Sequence, residues 1–527
     1  KQCNPISRSR SELKKRQILS REWGAPHASV MARPLRARHG RSSSHRMTGS
    51  RPAITGPILL LDDLRDGCMH LAALFITDRN VKPPPVTLPT GTAAPVSIAT
   101  FGDAAVWRVR FALPADRASS YDWNGDTYAV ASDMTDDLRA AFVSCNGEEV
   151  GDLGRDGSER NLMWARMRDD HARQPLALLL HGGDQIYADE ITKDHRLSAG
   201  WPKELPHTPS AAALADLRHH LRQHLLARYA RIYAAPPFAW LAARVPSLMQ
   251  WDDHDICDGW GSLPADVTTS PVGQTLFAAA REAFLIFQHG ATDGDLPARF
   301  ADPAGRHLGW SVTAGGLRIL APDLRSERTR HTIMGPGGWE MMDAAGRQDA
   351  AGHTLLMSSV PLLGPRLSLL ELAMRFVPRM QKYEDDLRDQ WQSRAHRDEW
   401  CRMLRLVRDM ARRDGHDLTA LSGEIHLATR AVMDLGGGRH LNQLVASGIA
   451  HRAPPAAWAR FLGALATLGD APLPDHPIQI AALPGHRTRY LAERNYLLLS
   501  RAGKAWSAQW NLEESGLTPP LPLSRQA

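Results

Sequence analysis

The sequence is poor in cysteine, and its five cysteines do not form the pattern of a disulfide framework. They are odd in number and widely spaced along 527 residues: Cys3, Cys68, Cys145, Cys257 and Cys401. Small disulfide-stabilised domains carry dense and evenly paired cysteines instead. We therefore expect the cysteines to be reduced and the protein to be cytoplasmic.

Long apolar runs are also missing. A membrane-spanning helix needs roughly 20 apolar residues, and runs such as Leu59-Leu60-Leu61 stop at once, here at Asp62 and Asp63. Nothing in the sequence resembles the apolar core of a secretory signal. The sequence therefore predicts neither a transmembrane segment nor a signal peptide.

Carboxylates are scarce in residues 1–51, where Lys and Arg are abundant. This segment carries the positive excess behind the formal net charge of +6. Aromatic residues, which stack on bases in many nucleic-acid-binding proteins, are scarce there as well. We interpret residues 1–51 as a basic, disordered arm, and we expect no specific nucleic-acid partner.

Short apolar runs fill the rest of the sequence and follow two different periodicities. Before about residue 130 they are β-like and separated by turn-forming residues: Ile58–Leu61, His70–Ile76, Val96–Thr100 and Ala105–Phe111. Later segments have the 3.6-residue spacing of helices: Ala211–Tyr233, Gln274–Phe287 and Asp398–Arg412. The sequence predicts an α/β fold, with a β-rich N-terminal domain at 52–130, a larger layered domain at 131–515 and a tail at 516–527.

Four apolar runs end in side chains that bind metal ions. The endings are Ser144-Cys145-Asn146, His181 to Tyr187, Asp252 to Asp255, and Ser422 to His426. Loops at the carboxyl ends of strands converge in layered α/β folds, so we expect these endings to lie close together. Carboxylate, imidazole, phenol and thiol groups in one place predict a site for two cations.

Individual side chains in these endings suggest different roles. Asp184 is the natural bridging ligand, and Gly182-Gly183 before it allow the backbone to turn tightly. Asp253 offers a further carboxylate, while the imidazole of His254 is suited to proton transfer. In the fourth ending the carboxylate and the imidazole lie two residues apart, so both point to one side of an extended segment.

Taken in order, the four endings resemble the motif set of the PhoD-like (alkaline phosphatase D) family of metallophosphatases. The similarity covers roughly residues 142–449. It implies a four-layer α/β/β/α domain with a binuclear centre, preceded by a small β-rich domain. It also implies hydrolysis of a small-molecule phosphate ester by a metal-bound hydroxide. In some members iron is paired with calcium, and zinc and manganese are the other metals we consider.

The same resemblance implies a role for each matching residue. Six residues would hold the two metals: Cys145 as thiolate, Tyr187 as phenolate, Asp184, Asp253, Glu424 and His426. His254 would stand beside the scissile bond, and Asp184 and Arg325 would complete the catalytic set. Family members usually have Asp at the position of Glu424.

A segment after the apolar run 317–320 resembles the family's Asp-x-Arg-x-x-Arg motif. Its Arg325 and Arg328 would bind phosphate oxygens in a bidentate manner, and we expect Asp255 to contact the substrate as well. The alternative is that the arginines form internal ion pairs with Asp323 or Glu327.

Two other functions stay open at this point. Cys145 would be the nucleophile of a thiol-dependent hydrolase, although Gly151 stands where the phosphate-binding Cys-x₅-Arg loop has its arginine. Alternatively, the chain would be a non-catalytic metal-binding protein that keeps the metallophosphatase fold, with Glu424 as the sign of lost activity. The sequence does not indicate an oligomeric state.

Overall fold

The computed structural model describes residues 54–206, 208–348, 352–365 and 389–523. The basic arm predicted for residues 1–51 lies outside the described residues. Within the described ranges, none of the helices combines the length and the hydropathy that a bilayer crossing needs.

The described strands form three sheets of eleven, nine and four strands. In chain order they are β1 (Thr55–Arg65), β2 (Cys68–Asp78), β3 (Val86–Leu88), β4 (Gly91–Ala93), β5 (Val96–Phe101), β6 (Ala104–Pro114), β7 (Ser119–Trp123), β8 (Asp126–Val130), β9 (Leu138–Val143), β10 (Leu178–Gly182), β11 (Ser247–Gln250), β12 (Trp310–Ala314), β13 (Leu317–Ala321), β14 (His353–Ser358), β15 (Asp417–Ser422), β16 (Ala428–Gly436), β17 (Arg439–Val445), β18 (Asp470–Leu473), β19 (His476–Ala481), β20 (Tyr490–Leu491), β21 (Asn495–Ala502), β22 (Ala505–Leu512), β23 (Gly516–Leu517) and β24 (Leu521–Pro522).

The helices of the described residues lie between these strands. They are α1 (Gly157–Arg160), α2 (Leu162–Arg173), α3 (Asp189–Lys193), α4 (Ala211–Tyr233), α5 (Pro236–Ala242), α6 (Ala265–Thr268), α7 (Pro271–Ala283), α8 (Pro336–Arg347), α9 (Arg397–Ala411) and α10 (Ala456–Leu465). The apolar spacing predicted the bounds of α4 correctly. The helix predicted to reach Phe287 ends at Ala283 and continues as a π-helical turn, Phe284–Gln288.

The eleven-stranded sheet has the order β23-β22-β21-β9-β10-β11-β1-β2-β6-β5, with β24 beside β22. Strands β9, β10 and β11 run parallel to one another, and β1 pairs in parallel with β11. The N-terminal strands β1, β2, β5 and β6 are thus hydrogen-bonded into the same sheet as β9–β11. The domain boundary near residue 130 stays a prediction.

The nine-stranded sheet has parallel strands β13, β14, β15 and β17 at its centre. Side chains alternate between its two faces, as the period of a strand requires. Along β14, Leu355 and Met357 pack in the core shared with the first sheet, whereas Leu356 packs in the core that contains Trp400 and Leu404 of α9.

Helices cover the outer faces of both sheets. Helices α4 and α5 contact β1 of the first sheet, and α9 contacts β15 of the second. The predicted α/β fold with four layers, α/β/β/α, is therefore confirmed, and the strand ends of both sheets border the space between them.

The buried histidine at the start of β14 makes stability depend on pH. His353 is 2% exposed, and its Nε2 lies 3.1 Å from Thr419 Oγ1 on β15. Burial, aided by the nearby His416, lowers the pKa of His353 to about 3. At pH values between this folded pKa and the pKa of about 6.5 in the unfolded chain, His353 binds a proton in the unfolded chain but not in the folded chain. The free energy of unfolding therefore falls as the pH drops through this range.

We expect His353→Gln to remove this contribution. Between pH 7.5 and 5.0 the free energy of unfolding of the unsubstituted protein should fall by about 2 kcal/mol more than that of the variant. Urea unfolding at the two pH values, in the presence of chelator, measures the difference. An equal fall in both proteins would contradict a neutral, buried His353.

Candidate metal centre

The carboxyl ends of β9, β10, β11 and β15 meet between the two sheets. A Cβ atom on residue 423, after β15, would lie 2.3 Å from Ser144 Oγ, after β9. A Cβ atom on residue 183, where φ is 113°, would lie 2.6 Å from Asp252 Cβ. The loops approach this closely because glycine occupies both positions.

Four of the predicted ligands sit on left-handed backbone. The φ angles are 56° at Cys145, 54° at Asp184, 69° at Glu424 and 54° at His426. Residues other than glycine rarely adopt this conformation, which costs on the order of 1–3 kcal/mol for each residue and clusters at functional sites. Backbone hydrogen bonds from Cys145 N to Gly183 O, 3.2 Å, and from Asn146 N to Asp184 O, 2.8 Å, help to hold it.

The first group of ligands comes from three different loops. One donor atom each from Cys145, Asp184 and His426 lies within 4.8 Å of the others. Cys145 Sγ is 3.4 Å from Asp184 Oδ2. The phenol of Tyr187 borders the same group, with its oxygen 3.0 Å from His426 Nε2 and 3.5 Å from Asp184 Oδ2.

The second group consists of Asp184, Asp252 and Asp253, again within 4.8 Å of one another. Asp184 belongs to both groups. A carboxylate placed in this way could bridge two metal ions. Asp184 Oδ1 and Asp252 Oδ2 are buried and have no hydrogen-bond partner among the described residues. Buried carboxylate oxygens need a partner, and a cation between them would supply it.

Electrostatics favours cations at both groups. Burial raises the pKa of Asp184 well above its ordinary value, and Asp252 and Asp253 raise it further although His254 opposes them. Six acids line the cavity in front of the groups: Glu149, Asp184, Asp253, Asp258, Asp389 and Glu424. The described lining contains no Lys or Arg. The chemistry of these donors, oxygen with imidazole and thiol, fits a pair of metal ions.

Glu424 lies on the cavity wall but belongs to neither group. Its two carboxylate oxygens accept hydrogen bonds of 2.7 and 2.8 Å from Gln390 Nε2. Burial raises the pKa of Glu424 well above its ordinary value, and Asp389 and Asp252 add to the effect. Its assignment as a metal ligand stays a prediction.

His254 faces the cavity and is oriented by a carboxylate that the sequence did not reveal. Its Nδ1 lies 2.8 Å from Asp189 Oδ2, and Asp189 Oδ1 accepts a hydrogen bond from Asp258 N. Burial lowers the pKa of His254, but Asp189 and Asp253 outweigh this and hold it well above its ordinary value. In the sequence, Asp189 is only a carboxylate at the start of a short helix. Such a carboxylate usually stabilises the helix N-terminus, so nothing there indicates that it orients His254.

Glu149 and His451 extend the cluster and were also missed. The ring of His451 stacks on that of His426, with centroids 3.4 Å apart and planes 11° apart. His451 Nε2 lies 3.3 Å from each Glu149 oxygen. Although burial opposes it, the hydrogen bond with His451 lowers the pKa of Glu149 to about 2. Neither residue belongs to a recognisable ending of an apolar run.

Arg325 does not line the cavity, and its predicted role in catalysis and substrate binding stays a prediction. Its side chain is fully buried, and its N–H groups donate to the carboxylates of Asp252, Asp253 and Asp389 and to Trp260 O. No donor remains for a phosphate oxygen. Arg325 is a positioning residue that holds two carboxylates of the second group, and its partners are not those considered as alternatives.

Arg328 and Asp255 also differ from their predicted roles in substrate binding. The buried guanidinium of Arg328 donates to Asp389 O and lies 3.2 Å from Asp389 Oδ1, and Arg328 is not among the residues that line the cavity. Asp255 is 2% exposed. Its oxygens accept hydrogen bonds from Gln288 Nε2 and from the backbone N–H groups of Asp184, Gln185, Ile186 and Asp252. Asp255 therefore fastens the loops after β10 and β11 to each other.

Comparisons with known proteins agree with this arrangement. Residues 140–383 match the family model described as PhoD related phosphatase. An uncharacterized protein of Saccharomyces cerevisiae, YGR266W, is 26% identical over 357 residues, which cover 56% of this chain and 50% of the yeast protein. The match thus spans half the length of that relative.

A solved structure described as "Structure of PhoD" shares the fold. Its TM-score is 0.56 at 12% sequence identity, and the superposition covers 92% of this chain and 94% of that chain. The segment that matches the family model contains the first three of the four ligand-bearing endings. Residues 140–383 are thus similar in sequence to PhoD-related phosphatases, and the fold is that of the solved PhoD structure.

Proposed function

We propose that the protein is a binuclear-metal hydrolase that cleaves phosphate esters. The observation that carries this proposal is the pair of ligand groups that share Asp184 at the wall of one acidic cavity. The described lining offers a phosphate no Lys or Arg, so most of the phosphate's charge would have to be balanced by cations.

Each group would hold one cation. Cys145, Asp184, Tyr187 and His426 would surround the first, and Asp184, Asp252 and Asp253 the second, with Glu424 as a further candidate ligand. Iron with calcium is the pair we propose, with zinc or manganese as alternatives. When bound, such a pair supplies a water nucleophile that is active at neutral pH and positive charge for the phosphoryl oxygens.

The chain's own residues would handle the proton and the orientation of the ligands. His254 would donate its Nε2 proton to the leaving alkoxide, so that the organic group departs as an alcohol. Asp189 fixes the ring through Nδ1 and stabilises the charged form. Arg325 keeps the carboxylates of Asp252 and Asp253 in place.

A nucleophilic Cys145 has less support. Its side chain is buried, and burial raises the pKa of the thiol well above its ordinary value, with Asp184 adding to the effect. Reactive cysteines have lowered pKa values and partial exposure. The thiol is therefore better suited to bind a metal ion than to attack phosphorus.

Removal of a carboxylate from the second group should remove one metal. We expect Asp252→Asn to bind about one ion per chain in place of about two and to lose hydrolysis of p-nitrophenyl phosphate and bis(p-nitrophenyl) phosphate. Elemental analysis and the two assays, with and without chelator, measure this. Asp343→Asn, an exposed position on α8, is the control. Full metal content and activity in Asp252→Asn would refute the second site, and metal without turnover of any ester would favour a non-catalytic binder.

The activity that is lost with the proposed proton donor should depend on the leaving group of the substrate. His254→Gln should lower kcat for an alkyl phosphate by roughly 10²- to 10⁴-fold and for p-nitrophenyl phosphate much less, because nitrophenolate needs no proton. Asp189→Asn should show the same trend with smaller losses. A leaving-group series measured for all three proteins tests the role, which equal losses across the series would exclude.

Loss of the buried guanidinium should destabilise the metal-free protein. Arg325→Met leaves Asp252 and Asp253 without their cationic partner and Asp389 with Arg328 alone, which should lower the free energy of unfolding by about 3–5 kcal/mol. Because cations would replace part of the missing charge, saturating metal should reduce the difference. Chemical unfolding with and without metal measures both effects. The control is Arg402→Met, which removes an exposed ion pair and should change the free energy of unfolding by less than about 1 kcal/mol. An equally small effect of Arg325→Met would contradict the positioning role of Arg325.

A further inference from the structure

The cavity that contains the candidate metal ligands has a second, apolar half. Its total volume is about 450 Å³. The lining includes Asp184, Asp253 and His254. It also includes apolar side chains, among them Leu363, Val445, Trp458, Leu462 and Ile480, and we call this apolar part of the lining the apolar half. Any molecule that places a phosphate at the ligand groups therefore has an apolar wall beside it.

Polar side chains in the apolar half are bonded back to the protein. Gln443 accepts a hydrogen bond from Leu363 N and donates one to Leu363 O, each 2.6 Å long. The hydroxyl of Thr429 donates to Arg489 O at 2.7 Å. A hydroxyl-rich or base-like group placed here would lose its water without gaining strong partners, and that loss is costly.

Charge limits the ligand further. The described lining has six carboxylates and no Lys or Arg. Two cations at the ligand groups would balance one phosphate, but a second phosphate or carboxylate further along the cavity would meet no positive side chain there. The chemistry of the cavity thus favours a single phosphate with an uncharged organic group.

We propose that the substrate is an ester of one phosphate with an apolar organic group, which packs against Leu363, Leu462 and Trp458. This inference rests on the proposed hydrolase function and specifies its substrate class. Trp458 is the most informative of the three, because it is 42% exposed and its removal leaves the core intact. Phe461, on the same helix α10 and 46% exposed, does not line the cavity. Its ring stacks on that of Trp458 with centroids 5.5 Å apart, so Phe461→Ala is the control that removes this ring contact and keeps Trp458 in the lining.

A chain-length series tests the inference by activity. The substrates are ethyl, butyl and octyl phosphate, together with the methyl, butyl and octyl diesters of p-nitrophenyl phosphate. We expect kcat/KM to rise roughly fourfold for each methylene that enters the apolar half. Trp458→Ala should flatten this rise, and Phe461→Ala should keep it. Equal kcat/KM along the series, or the same slope in both variants, would overturn the proposal.

Binding of a neutral probe tests the apolar half without metal or turnover. Calorimetry with chelator-treated protein should detect octanol but not ethanol, with weaker octanol binding in Trp458→Ala and unchanged binding in Phe461→Ala. Ester hydrolysis without chain-length dependence or octanol binding would overturn this inference and leave the proposed function standing. Octanol binding without hydrolysis of any ester would overturn both.

The source of such an ester is a separate arm of the experiment. The rate of hydrolysis of phosphatidic acid in phosphatidylcholine vesicles is compared with that of octyl phosphate below its critical micelle concentration. Faster hydrolysis in vesicles would identify a membrane lipid and faster hydrolysis in solution a dissolved ester, and either supports an apolar group. Turnover of glycerol phosphate with hydrolysis of neither apolar ester would overturn the proposal.

Discussion

Mutual repulsion among buried carboxylates is the constraint on which the rest of this structure depends. Asp184, Asp252 and Asp253 lie within 4.8 Å of one another in the interior, where like charges interact strongly and ionisation is costly. The fold supplies one guanidinium, that of Arg325, and it contacts two of the three acids. The remaining negative charge faces the cavity, which is why ions from outside the chain fit there.

Rigid geometry is the other part of this arrangement. Left-handed backbone at four ligand positions, two glycines at the contacts between loops and the carboxylate of Asp255 all hold the strand endings in place. Asp255 joins the loops after β10 and β11 through their backbone N–H groups, whereas Arg325 joins the loop after β11 to Asp389 through carboxylates. Preorganisation of this kind holds the donor atoms in the geometry for binding before a metal ion arrives.

The sequence predicted the elements that have strong local signals. Apolar spacing gave the bounds of α4. The strand endings predicted that Cys145, Asp184 and His426 would lie close together, and they do, because buried strands and their polar ends are easy to recognise. Asp252 was overlooked because the run Asp252-Asp253-His254-Asp255 gives no local reason to choose among its carboxylates. The local sequence could not reveal the carboxylate partners of Arg325, because a guanidinium binds phosphate and carboxylate in the same way and Asp389 lies 64 residues further along the chain. Glu149, Asp189 and His451 needed the three-dimensional structure, since only folding brings them to the site.

The pairing of β1 with β11 limits how far the protein can be shortened. β11 ends at Gln250, two residues before Asp252, and β1 occupies the edge that β11 would otherwise expose. A truncated version that starts after residue 130 would leave an open strand edge beside the candidate metal ligands, and open edges recruit other chains into aggregates. The N-terminal strands are therefore part of the scaffold of the centre, even though none of their side chains belongs to the ligand groups.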